Sequence, residues 1–240
     1  NSKLNIKGFN IPFEVFSQFL QNINFLNSTK LPKGNLDNFE IEYSDMIKIN
    51  SLNYVTENGS ELDLQGSFNY FDFSDTNFDL NLNSSSSNDI SNFFQLIFPK
   101  LDSNLLSFDK LSLSSNIENQ NIKIKELNLS KDETLISILG DFNLDNFSNR
   151  GLQIKINNFK EFGLIPNAEI KELLNQLDIS HFTMDGTVVD EEIIINSLDI
   201  FEDDELKLSL SGETNLSNTK QTFLNVNLQR FDSNDLSKLL

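Results

Sequence analysis

His181 is the only histidine in this 240-residue sequence, so any imidazole chemistry would have to rest on it. A Ser-His-Asp catalytic triad needs that imidazole as its general base, and zinc sites are commonly built from histidine and cysteine ligands. The sequence has no cysteine, and His181 stands in a strand-like segment with no second histidine to complete a site. We therefore interpret His181 as an incidental residue rather than a catalytic or metal-binding one.

Two acidic runs, Asp-Glu-Glu at residues 190–192 and Glu-Asp-Asp-Glu at residues 202–205, offer carboxylate oxygens of the kind that Ca²⁺ prefers. Neither has the spacing of an EF-hand loop or of a glycine-rich calcium repeat. We interpret both as solvated turns. A carboxylate pair for glycoside hydrolysis cannot be assigned without a pocket. The sequence also has no tryptophan, which leaves few aromatic side chains suited to stacking against a sugar ring.

Nucleotide and nucleic-acid chemistry is also poorly supported. The sequence contains no GxGxxG fingerprint and no P-loop. Its formal net charge of -18 argues against nucleic acid, because phosphate binding needs clustered lysine and arginine to displace counterions. The sequence thus predicts a protein that is not an enzyme, needs no metal or cofactor, and does not bind nucleic acid.

The strongest pattern in the sequence is an internal repeat. The segments IKINSLNYV, IKIKELNLS and IIINSLDIF begin at residues 47, 122 and 193. Each is followed by a second strand-like segment that contains a glycine. Gly140 follows Gly66 by 74 residues, and Gly212 follows Gly140 by 72. Apolar residues recur 12, 14 and 16 positions after each glycine, and such period-two alternation is typical of strands with one apolar face.

The repeat predicts one apolar face along successive strands. Its predicted residues are Leu62, Leu64, Phe68, Phe78, Leu80 and Leu82 in the first copy, Ile136, Ile138, Phe142, Leu152, Ile154 and Ile156 in the second, and Leu208, Leu210, Leu224, Val226 and Leu228 in the third. We expect each copy to form four antiparallel strands, at residues 36–44, 46–56, 61–71 and 77–83 in the first, with a hairpin turn at residues 57–59.

In every copy the apolar alternation slips by one residue after Ile49, Ile124 or Ile195. A β-bulge would absorb the slip, keep the apolar residues on one face and curl the sheet. The alternative is a strand that changes face, as at the corner of a sandwich.

The predicted fold is therefore mainly β: three tandem four-stranded antiparallel units that form one long curved sheet, with short helices between units. The predicted boundaries are residues 1–31 for the strand and helix that end a preceding repeat, 32–103 for the first unit, 104–177 for the second and 178–240 for the third. Helices are expected at residues 12–26, 88–98, 166–177 and 234–240, with Ser87, Asn88 and Ser233 as possible N-caps. The serine run at residues 84–87 predicts a flexible connection.

The IxIxSLxI strand, the glycine strands ELDLQGSFNY and LKLSLSGETNL, and the closing passage LNVNLQRFDSNDLSKLL together resemble the AsmA family of bacterial envelope proteins, including its TamB-like members. The resemblance is clearest over residues 182–240. It implies an elongated β-groove with an apolar interior that holds phospholipid acyl chains in the periplasm of a Gram-negative bacterium, between inner and outer membrane.

The resemblance further implies a parent protein anchored in the inner membrane, so that membrane contact lies in parts outside this chain and neighbouring repeats are partners. Two alternatives stay open. The apolar face could be the dry core of a structural or adhesin-like β-repeat, or the chain could be a scaffold that assists outer-membrane protein assembly by offering strand edges.

Overall fold

The computed structural model describes residues 4–12, 33–44, 46–69, 75–97, 108–119, 121–143, 148–160, 179–215 and 222–229. These residues form thirteen β-strands and one α-helix, so the mainly β prediction is confirmed. The chain divides into two compact units, Asn1–Lys131 with Asn143–Phe147, and Asp132–Phe142 with Ser148–Leu240. The predicted boundaries of three sequence repeats remain a prediction.

The first unit is an antiparallel meander in which each strand pairs with the next along the chain. Its elements are β1 (Leu4–Pro12), β2 (Gly34–Tyr43), β3 (Ile47–Thr56), β4 (Glu61–Phe68), β5 (Thr76–Ser84), α1 (Ser87–Ile97), β6 (Lys110–Glu118) and β7 (Asn121–Lys131). The four strands predicted in the first copy match β2 to β5 within a few residues.

The second unit repeats the same antiparallel order. Its strands are β8 (Thr134–Asn143), β9 (Leu152–Phe159), β10 (His181–Val189), β11 (Glu192–Glu202), β12 (Glu205–Asn215) and β13 (Phe223–Leu228).

Tight turns join the hairpins where the sequence predicts them. Between β3 and β4, Gly59 has φ +83° and its N–H donates to the carbonyl of Thr56 at 3.0 Å. Between β11 and β12, Asp203 and Asp204 have φ of +45° and +66°, and positive φ at both central residues is what a type I′ turn requires. The turn interpretation of residues 202–205 is thereby confirmed.

A bulge lies at the predicted place in three strands. Ile41 pairs with Ile49 while Glu40 pairs with Ser51, which leaves Asn50 as the extra residue. The same shift leaves Lys125 extra in β7 and Asn196 extra in β11. The apolar residues before and after each bulge stay on one face, so the bulge interpretation is confirmed and the face-changing alternative is wrong.

Three equivalent glycines permit close approach of the following strand. Gly66, Gly140 and Gly212 have φ of +152°, +131° and +146°, a region that other residues rarely adopt. A Cβ atom at these positions would lie 2.1, 2.1 and 1.9 Å from a carbonyl oxygen. Those oxygens belong to Asn77, Gly151 and Phe223. The spacing of the glycines in the sequence therefore reflects one repeated structural role.

Apolar burial differs between the two units. In the first, Leu36, Phe39 and Tyr54 form a core cluster with exposed fractions of 0%, 3% and 1%. Among the described residues, every buried apolar residue other than glycine belongs to this first unit. The described apolar side chains of the second unit are half-buried or exposed.

The predicted helix at residues 88–98 is confirmed as α1, but its cap differs from the prediction. The N–H of Asp89 donates to Oγ of Ser86 at 3.4 Å, so Ser86 is the N-cap instead of Ser87 or Asn88. The predicted flexible connection at residues 84–87 is wrong, because Ser84 is buried at the end of β5 and hydrogen-bonds Ser60 at 2.7 Å.

Two further helix predictions, at residues 166–177 and 234–240, lie outside the described residues. A helix that begins at Pro12 is wrong, because Pro12 is the last residue of β1 and pairs with Asn35. The remainder of that predicted helix, residues 13–26, also lies outside the described residues.

Candidate functional site

One side of the second unit forms a continuous apolar surface, built up strand by strand from cross-strand pairs. In β8 and β9, Ile136 lies opposite Ile156, and Ile138 lies opposite Ile154. Because side chains alternate between faces along a strand, directly opposed residues lie on the same face. These four predicted residues are therefore brought together, as expected.

The surface continues through β10 and β11 to the edge of the unit. Ile156 pairs with Met184, Met184 with Leu198, and Leu198 with Leu210. Leu210 then pairs with Val226. We call this surface the second apolar face. It comprises Ile136, Ile138, Phe142, Leu152, Ile154, Ile156, Phe159, Phe182, Met184, Val188, Ile193, Ile195, Leu198, Ile200, Leu208, Leu210, Leu224, Val226 and Leu228.

The second apolar face is incompletely covered. Its residues in β8 to β12 are half-buried, whereas Leu224, Val226 and Leu228 in β13 are 45%, 57% and 44% exposed. Contiguous exposed apolar surface marks an interaction site or a face that another group covers. The second unit differs from the first in that none of its described apolar side chains is fully buried.

The predicted residues of the first copy also share a face. Leu62 pairs with Leu82, Leu64 with Leu80, and Gly66 with Phe78. Phe68 lies in β4, where its backbone pairs with Ile47 and Thr76, and its side chain lies outside the description. The predicted strands of the first copy, and the placement of these apolar residues on one face, are therefore confirmed. Their role in binding lipid stays a prediction.

The opposite side of the second unit is largely polar, with Leu135, Leu139, Val189, Ile194 and Phe223 as its exposed apolar exceptions. At the β11 bulge, Nδ2 of Asn196 donates to Asp185 at 2.8 Å, and Nζ of Lys155 lies 3.3 Å from the same carboxylate. The hydrogen bond from Asn196, followed by that from Lys155, lowers the pKa of Asp185.

The other two bulges have comparable polar clusters. Lys7 lies 2.9 Å from Glu40, which also accepts a hydrogen bond from the bulge residue Asn50 at 3.3 Å. The bulge residue Lys125 lies 2.8 Å from Asp79. Hydrogen bonds from these lysines are the main cause of the lowered pKa of Glu40 and Asp79. Each bulge is thus tied to another strand by a carboxylate on the polar side, and the contact from Lys125 to Asp79 spans the intervening strand β6.

The lowered pKa of Asp185 predicts a modest loss of stability in acid. The ionised carboxylate stabilises the folded state above its unfolded pKa, near 3.8, and this contribution disappears as the pH falls through the lower folded value. The Asp185→Asn variant should lose less than about 1 kcal/mol at pH 7, because the pair is exposed. Urea unfolding between pH 7 and pH 2.5 should show a weaker acid dependence of the free energy of unfolding in this variant than in the wild type, and an unchanged dependence would contradict the stabilising role of the ionised carboxylate.

A buried polar cluster around Asp89 was not predicted from the sequence. The Asp89 carboxylate accepts hydrogen bonds from Oγ1 of Thr56 at 2.5 Å, Oγ of Ser60 at 2.7 Å and Nδ2 of Asn58 at 2.8 Å. Ser60 also hydrogen-bonds Ser84, and Thr56, Ser60, Ser84 and Asp89 are all buried. Thr56 lies two residues after Tyr54, and Ser84 lies two residues after Leu82, so each continues the inward-facing alternation of its strand. This alternation is the sequence signal that could have revealed their burial.

The Asp89 cluster docks the first turn of α1 at one end of the apolar face of the first unit. The helix there buries Ile90 and Phe93, with exposed fractions of 0% and 5%. A carboxylate in the first turn also complements the helix dipole. The side chain of Phe94 and all of Phe98 lie outside the description.

Removing the Asp89 carboxylate should loosen α1. The Asp89→Ala variant leaves the buried hydroxyl groups of Thr56 and Ser60, and the exposed amide of Asn58, without their acceptor, which should lower the free energy of unfolding by about 1–3 kcal/mol. Asn88→Ala, at an exposed position one residue earlier, is the matched control. Urea unfolding measures both, and equal stability of the two variants would contradict the structural role assigned to Asp89.

His181 is the first residue of β10 and is buried. Its ring stacks on Phe201 with a centroid distance of 4.7 Å and an interplanar angle of 4°, and its Nδ1 lies 3.0 Å from Oγ of Ser180. These contacts give His181 a packing role. Across the described ranges, no three histidine, aspartate or glutamate side chains gather as a metal site would require.

Comparison with protein-family models, with curated proteins and with solved structures finds no match to this chain. In the described part of the chain, no helix has both the length and the apolar composition needed to cross a bilayer. The second apolar face is therefore the feature of the described residues that points to a function.

Proposed function

We propose that this chain is a segment of an AsmA-like periplasmic β-groove protein, and that its second apolar face holds phospholipid acyl chains as they move between the inner and outer membranes. The observation that supports this most directly is the unbroken row of opposed pairs from Ile136 to Val226, whose side chains remain half-buried or exposed. Acyl chains suit such a surface, because the hydrophobic effect is non-directional and needs no precisely placed polar group.

The dimensions of the second unit fit this occupant. Six strands spaced about 4.8 Å apart extend about 24 Å from the first strand to the last. The hydrocarbon core of a bilayer is about 30 Å thick, so one leaflet's acyl chains extend about 15 Å. An acyl chain that lies across the strands would therefore contact roughly four of the six strands.

The dry-core alternative is favoured for the first unit by the near-complete burial of Leu36, Phe39 and Tyr54. Burial of this kind leaves little apolar surface for a ligand at the core cluster. We therefore assign acyl-chain binding to the second unit and a mainly structural role to the first.

The repeat architecture belongs to the same proposal. Three tandem four-stranded units in one long curved sheet, with helices between them, would explain why the bulges at Asn50, Lys125 and Asn196 occupy equivalent places. Bulges increase local twist and bend the bulged strand, so their recurrence favours a groove over a flat sheet.

Native mass spectrometry of the gently extracted chain tests the proposed function. We expect adducts with the masses of phospholipids, which disappear after delipidation and return when phospholipid is added back. A chain that stays free of lipid after gentle extraction, and that gains no adduct when phospholipid is supplied, would overturn the proposal.

A further inference from the structure

The turn between β3 and β4 contains the only Asn-Gly dipeptide of the sequence, Asn58 followed by Gly59. Asparagine is thermolabile, and a following glycine favours its deamidation most, because glycine has no Cβ atom to hinder its own backbone nitrogen. Asn58 is exposed, and a Cβ atom at Gly59 would have no neighbour within 4 Å. The tip of this hairpin therefore leaves room for the reaction.

The side-chain amide of Asn58 is also one of the groups that hold α1 in place. Its Nδ2 donates to Oδ1 of Asp89 at 2.8 Å, whereas the hydroxyl groups of Thr56 and Ser60 both donate to Oδ2. Asp89 lies in the first turn of α1 and is 1% exposed. A chemical change at the Asn58 amide would therefore act directly on a buried carboxylate of the helix.

Deamidation at this turn uses the backbone of the chain itself. The backbone nitrogen of Gly59 loses its proton to water or hydroxide and attacks Cγ of Asn58, and the bond from Cγ to Nδ2 breaks with release of ammonia. Water then opens the resulting succinimide and leaves an aspartate or an isoaspartate at position 58. An open cleft of about 330 Å³, whose lining includes Lys33, Asn58 and Asn88, gives water access to the turn.

Two hydrogen bonds restrain this reaction while α1 is docked. The N–H of Gly59 donates to the carbonyl of Thr56 at 3.0 Å, and the Asn58 amide is held by Asp89. The attack has to break both bonds, because the nitrogen of Gly59 must turn towards Cγ while the amide rotates away from Asp89. The rate of deamidation should therefore rise whenever the contact between Asn58 and α1 is lost.

We propose that Asn58 is a site of spontaneous deamidation and that the reaction detaches α1 from the β3–β4 hairpin. The product replaces an N–H donor by a second carboxylate beside Asp89. A buried charge that loses a hydrogen bond and gains a like-charged neighbour is strongly disfavoured. Ile90 and Phe93, which α1 buries, then become accessible to solvent. The inference does not depend on acyl-chain binding.

The Asn58→Asp variant reproduces the aspartate product and tests its effect on α1. Asn53→Asp is the matched control, because Asn53 of β3 donates to the exposed carboxylate of Asp63 in β4 at 2.7 Å. Both variants thus place two carboxylates together, but only Asn58→Asp does so beside a buried one. Amide hydrogen exchange in α1 should be at least about tenfold faster in Asn58→Asp than in the wild type, and unchanged in Asn53→Asp.

Peptide mapping by mass spectrometry after incubation at mildly alkaline pH tests the reaction itself. We expect Asn58 to deamidate before Asn53. The Gly59→Asn variant should suppress the reaction, because its side chain hinders the attacking nitrogen, and Asp89→Ala should accelerate it by removing the restraint on the amide. Deamidation of Asn58 no faster than that of Asn53, an unchanged rate in Asp89→Ala, or equal exchange of α1 in Asn58→Asp and Asn53→Asp would overturn the proposal.

Discussion

The Gly66→Ala variant is expected to lower the free energy of unfolding of the first unit by about 2–6 kcal/mol. Two effects add at this position. The φ of +152° strains any residue with a Cβ, at about 1–3 kcal/mol. The new methyl group would also lie 2.1 Å from the carbonyl oxygen of Asn77 and 2.7 Å from Cα of Phe78, and overpacking costs about 1–3 kcal/mol. Since β5 is held on both sides, it cannot move away freely.

Tyrosine fluorescence during urea unfolding measures this effect in the first unit alone, because all 3 tyrosines lie in Asn1–Lys131. The matched control is Gly59→Asn, at a turn where φ is +83° and a Cβ atom has no neighbour within 4 Å. Gly212→Ala should likewise destabilise the second unit, because a Cβ atom there would lie 1.9 Å from the carbonyl oxygen of Phe223; far-UV circular dichroism reports that variant. Stability of Gly66→Ala within about 0.5 kcal/mol of wild type would contradict the close-approach role of the glycine.

The second large effect is expected from a charge on the second apolar face. In the Ile154→Asp variant, acyl-chain binding should weaken on the order of 100-fold, because an aspartate in hydrocarbon costs about 2.5–3.5 kcal/mol. Ile154 lies between Ile138 and Gly186 and is half-buried, so an uncovered face should tolerate the carboxylate in the absence of lipid.

Titration of both variants with a fluorescent fatty acid provides the measurement. Gln153→Asp is the control, one residue away on the polar side, and should bind like wild type. Far-UV circular dichroism should show both variants folded. If Ile154→Asp unfolds the second unit, the face is a closed core in which the charge is buried without a partner, and the binding proposal fails.

The parts of the fold that follow from period-two alternation could be predicted from the sequence. The offsets from Gly66, Gly140 and Gly212 predicted that apolar residues of successive strands share one face, and residues such as Ile138 and Ile154 lie directly opposite each other on it. The prediction succeeded because a strand has only two faces, so one register error would have moved every side chain to the wrong one. The positions of the β-bulges could be predicted in the same way, because each bulge lies where the period-two alternation slips by one residue.

Features that depend on tertiary docking were missed. The Asp89 cluster joins residues that are 29 to 33 positions apart in the sequence, and their composition alone gives no sign that they meet. The serine run before α1 was mistaken for a flexible connection, because the burial of Ser84 arises from its contact with Ser60. The difference in burial between the two units likewise has no counterpart in the apolar pattern, which is the same in every copy.

Fluorescence quenching by brominated phospholipid acyl chains tests the central claim most directly. The chain contains no tryptophan, so Ile156→Trp and Asn157→Trp each introduce a single reporter, on the second apolar face and on the opposite side of β9 respectively. We predict strong quenching of the tryptophan at position 156 and little at position 157. Equal quenching at the two positions, or none at either, would contradict the assignment of acyl chains to this face.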